Sequence, residues 1–224
     1  MIFRDRDDAG RRLAARLLRF KGARPVVLAL PRGGVPVGFA IAELLDAPLD
    51  VVLVRKIGAP GFEELAVGAI AEGTPVETVI ERETVAQLDI SQDYLDQAIK
   101  RQAQEIERRR QVYRSGRAPI EVGGCTVIVV DDGIATGATM RAALRVVRRQ
   151  KPARLVAAVP VGPPDTLAAL KADADEIVCL ESPALFTAIS PFYEEFHQLR
   201  DEEVTALLSR AAKRQLPQGG APPR

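Results

Sequence analysis

Hydrophobic positions along the chain alternate between two periods. Leu13, Leu17 and Leu18 recur at helical spacing, so a first helix is expected from about Asp7 to Phe20 with acidic residues in its first turn. Pro25 opens an apolar, β-branched run, VVLAL, that ends at Pro31. A helix through Phe39, Ile41 and Leu45 follows, and then a second strand, DVVLV, ending at Arg55 and Lys56. Helix, strand, loop, helix, strand is the order of a βαβ unit on a parallel sheet. The stretch from Ile57 to Gly73 is rich in Gly and Ala around a Pro60-Gly61 turn. It reads as a mobile loop over Ile57 to Glu64 followed by a strand around Ala66 to Ile70. Thr74 to Ile80 reads as a further short strand.

A long helix is expected from Ser91, its N-cap, to about Arg114, with Leu95, Ile99, Ile106 and Tyr113 on one face. Asp96/Lys100, Arg101/Glu105 and Glu105/Arg109 stand at i,i+4 with opposite charge. The basic segment from Glu107 to Arg117 is most simply a solvated helix face. Further strands are expected at Val127 to Val130, in RLVAAVP and in EIVCL, with helices between them. The first of these helices, from about Met140, ends near Lys151-Pro152. Pro163 and Pro164 introduce a shorter one. A loop rich in Pro and aromatics spans Glu181 to Phe196, a helix spans Asp201 to Lys213, and the polar tail from 214 to 224 reads as disordered.

The run VIVVDDGIATGAT, Val127 to Thr139, carries the chemistry. A buried strand ends in two carboxylates, Asp131 and Asp132. Gly133, Ile134, Ala135, Thr136, Gly137, Ala138 and Thr139 then lead into a helix. Backbone N–H groups at a helix start favour an anion, and glycines allow its close approach. No Lys follows the glycines, which excludes a Walker A loop, and the G-x-G-x-x-G dinucleotide fingerprint is absent. A second stretch, LALPRGGVPVG, ends a strand with Pro31, Arg32, Gly33 and Gly34. Ligands of open α/β sheets bind at that carboxyl edge.

The first run closely resembles the signature of type I phosphoribosyltransferases, in the branch of stand-alone bacterial domains without an assigned substrate. The resemblance covers roughly Phe3 to Asp201. It implies an α/β fold, a parallel-sheet core with helices on both faces. Residues 1–213 would form this single domain, with a helical insertion at about 81–118 and a small C-terminal hood at about 181–200. It also implies Mg²⁺-dependent transfer of the phosphoribosyl group of phosphoribosyl pyrophosphate (PRPP) to a small-molecule acceptor such as a nucleobase, with release of pyrophosphate. Asp131 and Asp132 would hold the ribose hydroxyls, and Gly133 to Thr139 the 5′-phosphate. Arg32, Gly33 and Gly34 would hold pyrophosphate, joined by Arg55 and Lys56, and a cis peptide is implied at Pro31–Arg32. Ile57 to Glu64 would be a lid. Phe186 and Tyr193, in the loop where relatives carry a hood, are the stacking candidates for the acceptor. Mg²⁺ would be held mainly by PRPP and water. A non-catalytic PRPP-binding regulator or partner protein on the same fold is the alternative reading.

Composition narrows the field. The 224 residues are 47% hydrophobic and 27% charged with a net charge of +1, which gives no global case for nucleic acid or a membrane surface. The two cysteines lie in or beside apolar runs and read as reduced core residues, and one histidine excludes a histidine-rich metal site. No stretch is long and apolar enough for a membrane span, and the first residues lack the apolar core of a signal peptide. A cytoplasmic protein is expected, and a homo-oligomer is compatible with everything above.

Overall fold

The structure, a computed structural model, describes residues 2–72 and 76–215, without the side chains of Glu63 and Glu64. Helix α1 (Arg6–Leu17) starts at an Asp5 cap whose side chain accepts from the Asp8 N–H, one residue before the expected start, and a 3₁₀ turn completes it to Phe20. Strand β1 (Pro25–Ala29), helix α2 (Gly34–Leu45) and strand β2 (Leu49–Val51) form the expected βαβ unit. Strands β6 (Thr126–Val130), β7 (Arg154–Val161) and β8 (Glu176–Glu181) complete a parallel five-stranded sheet of order β2-β1-β6-β7-β8. Helices α5 (Ala138–Arg149) and α6 (Pro164–Leu170) connect them, and α7 (Asp201–Gln215) ends the described chain.

Both faces of this sheet are covered, which explains why β1 and β6 read as continuous apolar runs. Val27, Ala29, Ile128 and Val130 join one buried cluster with Leu13, Ile41 and Leu208. Val26, Leu28, Val127 and Val129 join the other with Leu144, Val147 and Leu155. Cys125 is buried, Cys179 is half-buried, and both are free thiols. From β1 the chain crosses to β2 on one side, and β6 pairs on the other. The gap between the carboxyl ends of β1 and β6 is therefore the topological switch point, where open sheets of this kind bind ligands.

The expectation of one strand through Val54 and a mobile loop after it is corrected. Pairing with β1 ends at Val51, and the chain leaves the sheet through Val52 and Leu53. It then forms an antiparallel sheet of β3 (Val54–Ala59), β4 (Phe62–Ala71) and β5 (Glu77–Ile80). The residues expected as a lid are thus largely the two arms of a hairpin turning at Pro60 and Gly61. The strand expected around Ala66 to Ile70 lies within β4, and burial of Ile57 and Ala59 against it fixes the pairing of the arm that composition alone reads as loop. The expected strand residues Thr74 and Pro75 lie outside the described residues, as does the tail beyond Gln215.

The insertion consists of α3 (Arg82–Gln87) and α4 (Gln92–Arg114), the latter capped by Ser91, whose hydroxyl accepts from the Tyr94 N–H. Its last residue fastens it to the main sheet. Arg114 is buried; its Nε lies 3.0 Å from Asp50, and its Nη2 donates to the Val51 carbonyl at 2.9 Å. Nη1 pairs with Glu72. Asp50 also accepts from the Ile120 N–H at 3.1 Å. One cation thereby ties the insertion to the sheet edge and to the end of the hairpin. Arg114→Met strands two carboxylates and is expected to cost about 3–5 kcal/mol in urea unfolding. A loss below about 1 kcal/mol, the size of an exposed pair, would contradict this role.

Candidate active site

Leu30 donates to the Val130 carbonyl at 2.8 Å, so the two loops that leave β1 and β6 start side by side. The Pro31–Arg32 peptide is cis, as the resemblance implies. The backbone of the first loop then crosses over the acidic pair. A Cβ on Gly33 would lie 2.1 Å from the Asp132 carboxylate, and one on Gly34 would lie 2.5 Å from the Val130 carbonyl oxygen. Only glycine permits this approach.

Asp132 is held from three sides. Arg6, itself buried, places its Nε 2.7 Å from the carboxylate, and its Nη1 donates to the His197 carbonyl at 2.9 Å. The same guanidinium lies 3.9 Å from the centre of the Phe196 ring. Tyr193 donates its hydroxyl to the Asp132 backbone carbonyl at 2.6 Å. Asp131 is half-buried and accepts the Asp132 N–H at 2.9 Å. Burial, and then the charge of Asp132, push the Asp131 carboxyl well above the usual carboxylate range.

The loop after the pair is anchored at its far side. The Ile134 N–H donates to Val161 at 3.0 Å, and the Thr166 hydroxyl donates to the Ala135 carbonyl at 2.8 Å. Gly137 caps α5 with φ +74, a conformation that side chains rarely adopt, and a Cβ there would meet Thr166 at 2.7 Å. First-turn N–H groups of α5 have no partners within the helix, so this loop offers donors to an anion.

Arg32, Arg55, Lys56 and Thr139 line one cavity of about 460 Å³, and α4 supplies its opposite wall with Arg101 and Arg109. Arg55 is oriented by the Gln102 side chain at 2.9 Å. Burial, and then the charge of Arg109, lower its affinity for its proton. Arg32 also lies 3.8 Å from Asp201, which accepts the Tyr113 hydroxyl at 2.6 Å.

Sequence reasoning finds the two loops and misses their supports. Nothing in the local sequence around Arg6 points to Asp132, since the pairing spans 126 positions. Tyr193 also differs from the expectation. It is 6% exposed, with Phe3 and Phe196 against it at 5.4 and 4.9 Å between ring centres, so it supports Asp132 instead of offering a stacking face. Phe186 is half-buried and stacks on Phe192 at 5.8 Å. Among the described residues no three His, Cys, Asp or Glu gather as a cation site.

Two outcomes follow from this geometry. Arg6→Ala leaves the Asp132 carboxylate buried without its counter-charge and is expected to cost about 3–5 kcal/mol of stability. A cost under about 1 kcal/mol would show that Asp132 does not depend on it. Asp131→Asn is expected to raise the thermal midpoint. The folded state keeps the Asp131 proton to higher pH than the unfolded state does, so this group costs stability as pH rises above the ordinary carboxylate range. The gain is therefore larger at neutral pH than at pH 4, and a midpoint that falls at both would contradict the assignment.

Residues 4–196 match the family profile described as "Phosphoribosyl transferase domain". Two proteins of Mycobacterium tuberculosis, "Putative phosphoribosyl transferase Rv0571c" of strain H37Rv and its counterpart MT0597 of strain CDC 1551, are each 47% identical over 210 residues. The match covers 94% of this chain and 47% of each relative, so the chain spans about half the length of these relatives. The crystal structure of TT1426 from Thermus thermophilus superposes with a TM-score of 0.84 at 44% identity, covering 94% of this chain and 99% of that one. With the family profile spanning both loops and the sheet between them, the chain belongs to the phosphoribosyl transferase domain family.

Proposed function

We propose that the protein transfers the phosphoribosyl group of PRPP to a small-molecule acceptor, with release of pyrophosphate. The observation that carries this is the meeting of an anion-binding loop, a carboxylate pair and a cationic wall at the switch point between β1 and β6. The loop from Gly133 to Thr139 receives the 5′-phosphate on backbone N–H groups at the start of α5. Asp131 faces the ribose hydroxyls, while Asp132, fixed by Arg6, sets the position of Asp131 and of the Gly33 backbone. Arg32 with Gly33 and Gly34, and Arg55 with Lys56, receive the diphosphate.

In the reaction the bond from C1′ to the diphosphate oxygen breaks as the acceptor's nucleophilic atom bonds to C1′. The sugar passes through a state with oxocarbenium character, which nearby carboxylates favour. The cationic wall takes up negative charge as the diphosphate departs. Mg²⁺ would be held chiefly by diphosphate, ribose hydroxyls and water, with Asp131, which has no arginine partner among the described residues, as a protein carboxylate that could join them. When bound, it supplies further charge neutralisation on the leaving group.

The acceptor approaches from the loop after β8, where Phe186 is the stacking candidate and Tyr193 is a support. No described helix is long and apolar enough to cross a membrane, and a phosphorylated sugar donor suits a cytoplasmic site of action.

PRPP with Mg²⁺ is expected to stabilise the protein by about 2–3 kcal/mol at a hundred times Kd. The absence of any thermal shift at millimolar PRPP would overturn the proposal. A screen of nucleobases and small amines that follows pyrophosphate release identifies the acceptor. Binding without turnover of any acceptor would favour a PRPP-sensing role. Phe186→Ala is expected to weaken acceptor use by about 1–3 kcal/mol, read as kcat/KM, while PRPP affinity stays nearly constant. Unchanged acceptor use would move the acceptor elsewhere.

A further inference from the structure

Helix α4 contributes an unexpected chemistry to the donor site. Tyr94, Ala98, Arg101, Gln102 and Arg109 fall along one stripe, separated by three, four or seven residues down its length, and all five line the cavity shared with the pyrophosphate loop. The sequence suggests that Arg101 and Arg109 are both neutralised by Glu105. Only half of that holds. Glu105 pairs with Arg109 at 2.7 Å and with Arg108 at 2.9 Å, and among the described residues no carboxylate pairs with Arg101. Tyr94 donates its hydroxyl to the Gly58 carbonyl at 2.9 Å and Gln102 accepts from Arg55, so the helix is docked on β3 through this same stripe. The buried Arg114 cluster fixes its other end.

The result is four arginines around one cavity, Arg32, Arg55, Arg101 and Arg109, of which Arg109 pairs with Glu105 and Arg32 lies near Asp201. Arg55 and Arg109 repel one another, Glu105 offsets part of that repulsion, and a bound anion would offset more of it. Arginine also presents a planar fork suited to phosphate oxygens. The cavity reaches Thr139 on one side and the Pro31–Arg32 segment on the other. Its anion therefore lies on the diphosphate side of PRPP.

We propose that Arg101 and Arg109 of α4, together with Arg55, bind the diphosphate of PRPP directly, so that the helical insertion is a fixed wall of the leaving-group site. This rests on the PRPP reading above. It adds a packed helix to the charge neutralisation that the sequence resemblance leaves to Arg32, Arg55 and Lys56.

The test is calorimetry of inorganic pyrophosphate with Mg²⁺, and separately of ribose 5-phosphate, on the intact chain. Arg101→Gln and Arg109→Gln are compared with Arg110→Gln, which removes an exposed charge of the same helix that pairs with Glu107 outside this cavity. Thermal midpoints of all variants establish that they are folded, and Arg109→Lys serves if Arg109→Gln is not. Loss of a charged hydrogen bond predicts pyrophosphate binding weaker by about tenfold or more in each cavity variant. Ribose 5-phosphate binding and the Arg110→Gln variant are expected to stay near wild type. If wild type binds pyrophosphate and both cavity variants match it within twofold, this inference is overturned and the PRPP reading stands. Equal weakening in Arg110→Gln also overturns it, because the effect is then the general field of the helix. If wild type binds neither pyrophosphate nor ribose 5-phosphate, the PRPP reading itself fails, and this inference with it.

Discussion

The site depends on one buried contact, the Asp132 carboxylate held between the Arg6 guanidinium and the Cα of Gly33. A carboxylate this close to a backbone turn needs a counter-charge that water cannot supply, and Arg6 brings it at 2.7 Å. That pair joins the first helix to the end of β6. The Tyr193 hydroxyl and the Phe196 ring, both from the segment after β8, close around the same centre. Three distant parts of the chain therefore converge on one ion pair. The consequence is a carboxylate with a fixed position; its neighbour Asp131 holds its proton above the usual range through burial first and the charge of Asp132 second, with Arg6 opposing.

This constraint separates two carboxylates that look identical in sequence. Asp132 has one carboxylate oxygen engaged by Arg6. Asp131 has no arginine partner among the described residues, and in the proposed reading it is the more open of the two to a ligand. Such division of labour between adjacent acids follows from environment and not from residue type. Opposite the pair lie the cations of β3 and α4. In the proposed reading, negative groups of a donor are drawn toward the insertion, and a positively charged sugar ring is favoured beside the carboxylates.

Much of the fold is legible in local sequence. The β-branched runs of β1 and β6, the cap at Ser91, and the Arg-Gly-Gly and Asp-Asp-Gly loops announce themselves through period, capping and backbone freedom. The hairpin of β3 and β4 does so only in its second arm, where the strand expected around Ala66 to Ile70 lies within β4. The Gly and Ala residues of the first arm have weak strand preference, and burial of Ile57 and Ala59 in the assembled core makes it a strand. The role of Arg6 is invisible for another reason, since an arginine in a charged first turn is ordinary until its distant partner is known. Arg101 and Arg109 illustrate a third limit. A polar stripe on a helix reads as solvated, and the same stripe lines a cavity once β3 is laid against it. Tyr193 shows the converse, an aromatic in a loop that turns out to be packed.

The most direct test is a crystal structure of the protein with ribose 5-phosphate, pyrophosphate and Mg²⁺. The sugar phosphate is expected on the N–H groups of residues 135–139, the ribose hydroxyls against Asp131, and the diphosphate between Arg32 and the Arg101/Arg109 face of α4. A diphosphate bound away from that cavity, or a ribose contacting Asp132 with Arg6 displaced, would contradict the division of roles between the two carboxylates and the cationic wall.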